Sequence, residues 1–359
     1  MSLKKIRILY TIPNFDTAGS GKVVYDLAKA LDKSRFEVII ACNHDKGAFY
    51  KTVKALGLPI YLIDATVPIR PYWSLLKRVH PFRDFLKTHQ IDLVHSWHWS
   101  SDWSEPLACK ISNIPFVYTK KAMGWGNIHW KLRSFLSRFI ITVNSEMAAF
   151  FPYKINQELI PFGLDLSYYS PIQISENQET EVFKIITVAN LVPVKNINIL
   201  IRAISFLAHI PLQFSVLGDD KTSYAEELKR LVAELGLESK VLFIGKQLDI
   251  RPFLSAADLY VISSDKEGMP MALVEAMAMG VPVLGSDVSG VNDVLKSFPD
   301  LLFPKLNALE LAKKIESFYY KTPEEQSRIG NALRNYCETH FSMETFITAH
   351  ESLYLELTQ

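Results

Sequence analysis

Apolar residues recur along this chain in two alternating rhythms. Short dense runs, among them Ile6-Arg-Ile-Leu-Tyr-Thr-Ile12, Phe36–Cys42 and residues 59–63, 93–94, 116–119 and 139–143, read as buried strands. Between them apolar residues fall three to four apart, as in residues 23–31, where Leu27 and Leu31 share one helical face. The alternation predicts a parallel sheet covered on both faces. It restarts after a polar, acidic stretch at residues 176–181 that reads as a linker. The second series predicts strands at residues 183–189, 212–217, 241–244, 259–262 and 282–284. Helices fall between them at residues 197–207, 224–235, 250–256 and 271–279. Residues beyond Leu306 read as helices to the end. The fold class expected is α/β, with two doubly wound, Rossmann-like domains facing a cleft and ligands at the carboxyl ends of the strands.

A length of 359 residues suits two hydrophobic cores, and 48% hydrophobic against 21% charged residues excludes a disordered chain. The longest charge-free run, residues 203–218, is interrupted by His209, Pro211, Gln213 and Ser215. It falls short of the ~20 apolar residues of a membrane span. No charged-then-apolar leader opens the sequence. Cys42, Cys109 and Cys337 lie far apart, so neither a disulfide framework nor a Cys-x-x-Cys metal site is expected, and the reducing cytoplasm is the expected compartment. The net charge of +1 conceals a split: residues 1–170 hold 22 basic and 13 acidic side chains, residues 171–359 hold 17 and 25. The first half is therefore suited to an anionic partner.

Gly19-Ser-Gly21 follows a strand and opens a helix, where free N–H groups can hold a phosphate. It is neither a dinucleotide fingerprint, since Val24 takes the third glycine's place, nor a Walker A loop, since Asp16 and Val23 occupy required positions. A tight turn into a helix accounts for it equally well. The richer segment is Glu267-Gly-Met-Pro-Met-Ala-Leu-Val-Glu275-Ala-Met-Ala-Met-Gly280-Val-Pro-Val. Pro270 sits where a helix can begin. The N–H groups of Gly268, Met269, Met271 and Ala272 then form a candidate diphosphate cradle. Glu275, one turn into a helix apolar nearly all round, needs a partner or a ligand and would suit a ribose diol. Glu267 would face whatever lies beyond the phosphates.

The spacing E-G-x-P-x-x-x-x-E-A-M-A-x-G-x-P-V resembles the signature of the GT4 family, retaining nucleotide-sugar glycosyltransferases of the GT-B fold. Leu191-Val-Pro-Val-Lys195-Asn resembles that family's phosphate loop, Leu217-Gly218-Asp219 its G-D turn, and Phe243-Ile-Gly245 and Ala256-Ala-Asp258 its next landmarks. Ile160-Pro-Phe-Gly163-Leu-Asp165 and residues 19–31 match its interdomain segment and its first glycine loop. The resemblance spans nearly the whole chain and is strongest over residues 183–295. It implies a first, acceptor-binding domain of residues 1–170 with a final helix at about 342–359 crossing back to it, and a donor domain of residues 171–341. It implies donor contacts at Gly19, Gly21, Asn190, Lys195, Gly218, Gly245, Gly268–Ala272 and Glu275. Glu267, Lys195, His98 and Lys121 are its implied catalytic set, with no cofactor and no metal. Three departures stand out. Asn190 replaces an arginine that usually brackets the phosphate-loop lysine, Thr119-Lys120-Lys121 replaces a Thr-His pair, and Asp220 follows Asp219 in place of a second glycine.

His95 and His98 follow a strand and fall beside the acceptor or sugar by resemblance; as a His-x-x-His pair they lack a third metal ligand at short range. Residues 120–138 hold Lys120, Lys121, Lys131, Arg133 and Arg138 without an acid, with Trp125, Trp130, Phe135 and Phe139 interleaved. Residues 70–87 hold Arg70, Lys77, Arg78, Arg83 and Lys87 against Asp84, with Tyr72, Trp73, Phe82 and Phe85. Cations among aromatics suit an anionic membrane surface, and no nucleic-acid motif is present. The expectation is transfer of a sugar to a glycan or lipid-linked acceptor in bacterial envelope synthesis, with attachment to the inner face of the plasma membrane. A sugar-nucleotide epimerase and a non-catalytic sugar-nucleotide-binding protein are the rival readings.

Overall fold

The computed structural model describes residues 4–16, 18–172 and 182–359, so the acidic stretch 176–181 lies outside the described residues. The chain divides into two compact units, one of Met1–Gly163 with Glu344–Gln359, the other of Leu164–Met343.

The first unit runs β1 (Ile6–Thr11), α1 (Ala18–Ala30), β2 (Phe36–Cys42), α2 (Tyr50–Lys54), β3 (Ile60–Leu62), α3 (Leu75–Thr88), β4 (Leu93–Ser96), α4 (Ser104–Ile111), β5 (Phe116–Lys120), α5 (Ile128–Leu136), β6 (Phe139–Thr142), α6 (Ser145–Ala149) and β7 (Gln157–Leu159). Its sheet has the order β3-β2-β1-β4-β5-β6-β7, every pair parallel. The second unit runs β8 (Phe183–Val188), α7 (Ile197–Ser205), β9 (Leu212–Leu217), α8 (Ser223–Glu234), β10 (Val241–Gly245), α9 (Arg251–Ser255), β11 (Leu259–Ile262), α10 (Met271–Ala278), β12 (Val283–Ser286), α11 (Val291–Val294), β13 (Leu302–Phe303), α12 (Ala308–Tyr319) and α13 (Pro323–His340). Its parallel sheet has the order β10-β9-β8-β11-β12-β13. A last helix, α14 (Met343–Thr358), returns to the first unit, where the Tyr354 hydroxyl hydrogen-bonds His95 at 2.6 Å and Tyr10 at 3.2 Å.

Both sheets reverse their winding at the centre. In the first unit the reversal falls between β1 and β4, in the second between β8 and β11. Loops leaving two such strands turn to opposite faces and leave a crevice at their carboxyl ends. Helices cover each sheet because their apolar stripes match it: α7 buries Ile197, Leu200, Ile201 and Ile204 against the second core. Side-chain caps start several helices, as where the Thr222 hydroxyl accepts the Ala225 N–H at 3.1 Å.

Two strands and one helix start differ from the sequence expectation. β7 and β13 are short edge strands of three and two residues, too brief for an alternation to register. Residues 19–21 lie inside α1 instead of in a turn ahead of it, with Gly19 off the helical conformation at φ −32°, ψ −105°. A Cβ on Gly21 would stand 3.0 Å from Phe15, so close packing accounts for that glycine.

Candidate functional site

The richest constellation lies at the carboxyl edge of the second sheet, across its winding reversal. Leaving β8, the chain exposes Asn190 and makes a 3-10 turn at Pro193–Lys195 before α7. Leaving β11, it places Ser263, Ser264 and Glu267 ahead of α10. The loops are tied together. The Ser263 hydroxyl reaches the carbonyls of Lys195 and Asn196, both at 3.0 Å, and the Asp265 N–H donates to the Val194 carbonyl at 2.8 Å. Lys195 Nζ then meets Glu267 Oε1 at 2.6 Å, and the Ser264 hydroxyl donates to the same oxygen at 2.6 Å. Ser286, ending β12, donates to the Ser264 carbonyl at 2.7 Å. Lys195 and Glu267, singled out separately from sequence, are therefore one ion pair, held by three serines to which sequence reasoning gave no role. The polar run Ser263-Ser264-Asp265 ending an apolar strand was the available signal.

The pair is graded in burial: Glu267 keeps 9% of its side chain exposed and Lys195 22%. The carboxylate is set in the protein while the ammonium, with two further protons to donate, reaches solvent. Met271 and Ala272 open α10, and their N–H groups, in the first turn, have no intrahelical acceptor. Met269 and Gly268 precede Pro270 on the same turn. Gly290 lies against that turn; a Cβ there would stand 2.6 Å from the Gly268 carbonyl oxygen. Gly218, at the end of β9, approaches β8 so closely that a Cβ would sit 2.2 Å from the Ala189 carbonyl oxygen. Gly245 ends β10 at φ +80°. All of these residues occupy one edge of one sheet.

Glu275 is half-buried, one turn into α10. The Tyr169 hydroxyl hydrogen-bonds its carboxylate, and burial followed by that acidic neighbour pushes the Tyr169 pKa up. The lone carboxylate on a buried helix thus has a protein partner that the sequence did not announce. The pKa of buried Tyr260 is pushed up by burial and then by the negative charges of Glu267 and Glu275.

In the first unit the corresponding edge carries Thr11, Ser96, Trp97, His98, Lys120 and Lys121. Beneath it lies a closed ion pair: Arg133 and Glu105, both without solvent exposure, meet at 3.0 Å, and Ser96 donates to Glu105 at 2.8 Å. Breaking such a pair costs about 3–5 kcal/mol, so this floor is rigid. Lys120 is equally buried, donating to the Gly124 carbonyl with its ammonium 3.7 Å from the centre of the Trp130 ring. The stretch 120–138 is therefore not the continuous basic surface expected of it: Lys120, Arg133 and Trp130 are interior, while Lys131 and Arg138 remain outside.

His95 is consumed by structure, hydrogen-bonding Tyr354 through Nδ1 and Thr119 through Nε2, each at 2.6 Å. His98 is 4% exposed, and its Nε2 has no partner among the described residues. Burial pushes its pKa down to about 4, so it is neutral near pH 7. Half-buried Lys121 donates to the Trp97 carbonyl and lies 5.8 Å and 5.4 Å from the rings of Trp97 and Trp99. Burial, then the Arg133 charge, pushes its pKa down to about 7. An ordinary lysine cannot stand in for a neutral imidazole; burial and the Arg133 charge shift this one toward the neutral amine. No group of three or more His, Cys, Asp or Glu among the described residues could hold a metal ion.

Two parallel sheets, each reversing its winding at the centre, one with a cation and a helix start at the carboxyl edge of that reversal, define the GT-B class. Solved structures of the same fold include a glycosyltransferase from Rickettsia africae, 20% identical, with a TM-score of 0.88 over 99% of this chain and 100% of that one. Another is Anabaena Alr3699/HepE in complex with UDP and glucose, 19% identical, with a TM-score of 0.80 over 97% and 99%. The glycosyl transferases group 1 model matches residues 171–336, and the glycosyltransferase family 4 model matches residues 17–167. The chain belongs to the GT4-type glycosyltransferases. Among its relatives is the N,N'-diacetylbacillosaminyl-diphospho-undecaprenol alpha-1,3-N-acetylgalactosaminyltransferase of Campylobacter jejuni, 23% identical over 322 residues, 80% of this chain and 83% of that one.

Proposed function

We propose that this glycosyltransferase moves a sugar from a nucleoside diphosphate donor to a hydroxyl of a bacterial glycan or lipid-linked acceptor, with retention at the anomeric carbon. The observation that carries the reading is the Lys195–Glu267 pair beside the start of α10, at the carboxyl edge where α/β sheets take ligands. In the reaction the bond from the anomeric carbon to the diphosphate oxygen breaks, the acceptor oxygen bonds that carbon, and its proton leaves with the diphosphate or to solvent. Negative charge grows on the leaving diphosphate. Lys195 and the first N–H groups of α10 meet it there, stabilising the transition state beyond the bound donor. Glu267 holds Lys195 and addresses the donor sugar, and Glu275 the ribose. His98 and Lys121 form the acceptor side.

The Anabaena structure, which holds UDP and glucose, supports a UDP-sugar as the first donor to try. The Campylobacter relative, named for a polyprenyl diphosphate acceptor, supports a lipid-linked acceptor and a role at the cytoplasmic leaflet. No helix among the described residues is long and apolar enough to cross a membrane, and the attachment proposed is peripheral. The test is sugar transfer from UDP-, GDP- and ADP-sugars to polyprenyl-diphosphate glycans, with the anomeric configuration of the product read by NMR. Transfer with retention, persisting in EDTA, is expected, because charge stabilisation is assigned to Lys195 and backbone N–H groups. Donor isomerisation or hydrolysis without transfer would overturn the reading.

A further inference from the structure

The opposite edge of the first sheet carries a pocket that sugar transfer does not use. It has a volume of about 370 Å³ and lies where β5 and β6 begin, between the end of α4, the α5–β6 connection and residues 154–156. Lys110, Arg138 and Lys154 line it, and no acidic residue does. None of the three forms an ion pair among the described residues.

These cations sense one another. Lys154 is half-buried, its ammonium donating to the Ser137 carbonyl, and its pKa is pushed down by burial and then by Arg138 and Lys110. Asn156 shares the lining and is tied to the same loop, its amide donating to the Arg138 carbonyl at 3.4 Å. Phe135, 74% exposed, adds an apolar wall. A neighbouring crevice shares Pro115 and Leu357 and continues the positive edge with Lys4 and Lys5, Lys4 being paired to Asp92. Three converging cations without a carboxylate repel one another unless an anion joins them. A guanidinium and two ammonium groups lining one pocket offer donors to the oxygens of a phosphate.

We propose that this pocket binds a phosphate group carried on an organic body, held by Lys110, Arg138 and Lys154. The body lies along Phe135. Such a ligand is either a soluble phosphate ester or the headgroup of an anionic lipid. Within the first unit the site lies at the opposite edge of the sheet from His98 and Lys121, and it does not depend on the roles assigned to them or to Lys195 and Glu267.

Lysine acetylation of the full chain, read by mass spectrometry, tests it, because it reports each ammonium separately. One arm uses inorganic phosphate against chloride at matched ionic strength; the other uses phosphatidylglycerol vesicles against phosphatidylcholine vesicles. Slower labelling of Lys110 and Lys154, with exposed Lys296 of the second unit unchanged, is expected in at least one arm. Protection by phosphate assigns a soluble ester and protection by vesicles alone assigns a lipid headgroup. The R138Q variant should need roughly tenfold more of the protecting probe, as loss of a charge-assisted hydrogen bond implies. K154Q, read through Lys110, should shift in the same way. Unchanged labelling in both arms would overturn the proposal, as would full protection retained in both variants, which would put the anion elsewhere.

Discussion

A lysine 2.6 Å from a carboxylate has one of its three N–H donors engaged before any substrate arrives. Asn190 supplies no second cation, so in the proposed reaction Lys195 alone among the side chains of that loop meets the diphosphate charge. Replacing Lys195 with alanine should lower turnover about 100- to 1,000-fold, the usual effect of losing one such donor. Circular dichroism should show an intact fold, since the pair sits at the sheet edge and not in the core. Glu275 poses a different question because Tyr169 already satisfies it. If the carboxylate serves ribose, Glu275→Gln weakens UDP binding by calorimetry while Tyr169→Phe largely spares it. If it serves only Tyr169, the two variants lose stability alike and bind UDP as the parent does. The buried histidines set an acid limit. His98 and His350 are held neutral by burial, each with its pKa pushed down to about 4. The unfolded chain takes up those protons near pH 6.5, so between there and about pH 4 it binds more protons than the folded chain, and stability falls as pH falls. Melting temperature should drop from pH 7 to pH 5, and His350→Leu should flatten that slope.

At the scale of elements, α5 is built inside out. Its buried face carries Trp130, Arg133 and Ser134, while Ile128, Leu132 and Phe135, at helical spacing, are 61%, 37% and 74% exposed. Arg133 is drawn inward by Glu105, and the apolar residues are left on the outside. Tyr72, Trp73 and Leu76, before and within α3, form a second exposed apolar group, with Trp73 88% exposed. These groups, more than the count of cations, support the proposed membrane attachment. Co-sedimentation with anionic liposomes should fall sharply in Trp73→Ser and Phe135→Ser, with melting temperature unchanged; equal sedimentation of parent and variants would exclude these elements as the contact. The same helix shows what the sequence concealed. Periodicity located α5 in outline but could not tell which cations faced inward, because that depends on Glu105 on α4 and Ser96 on β4. Strands rich in β-branched residues, such as β2 and β8, were legible because burial on both faces demands a nearly continuous apolar run, which Glu37 and Lys184 interrupt only near the strand starts. The Glu267 motif was legible because its spacing is long. Its pairing with Lys195 was not, because the two residues are 72 positions apart and meet through the reversal of strand order.

Taken whole, the chain begins and ends in the same unit, and Leu164–Met343 is inserted within it. Helix α14 belongs to the first sheet in substance as well as in position: Tyr354 joins Tyr10 and His95, and the His350 ring stacks 5.6 Å from that of His95. Deleting residues 344–359 should therefore unfold the first unit while the second keeps its core. Limited proteolysis should then yield a resistant fragment close to residues 164–343. A fragment covering the first unit instead would show that α14 is dispensable.

The return of α14 also has a consequence for biosynthesis. Residues up to Gly163 leave the ribosome before the inserted unit, yet the helix that covers Tyr10, His95 and Trp97 is made only after it. At about 5–20 residues per second, roughly ten to forty seconds separate the two events. Through that interval the nascent first unit presents a bare aromatic face, while the inserted unit, whose segments are contiguous, can complete its own core. The later-made half thus finishes folding before the earlier-made one, and the waiting face is where a holding chaperone would act.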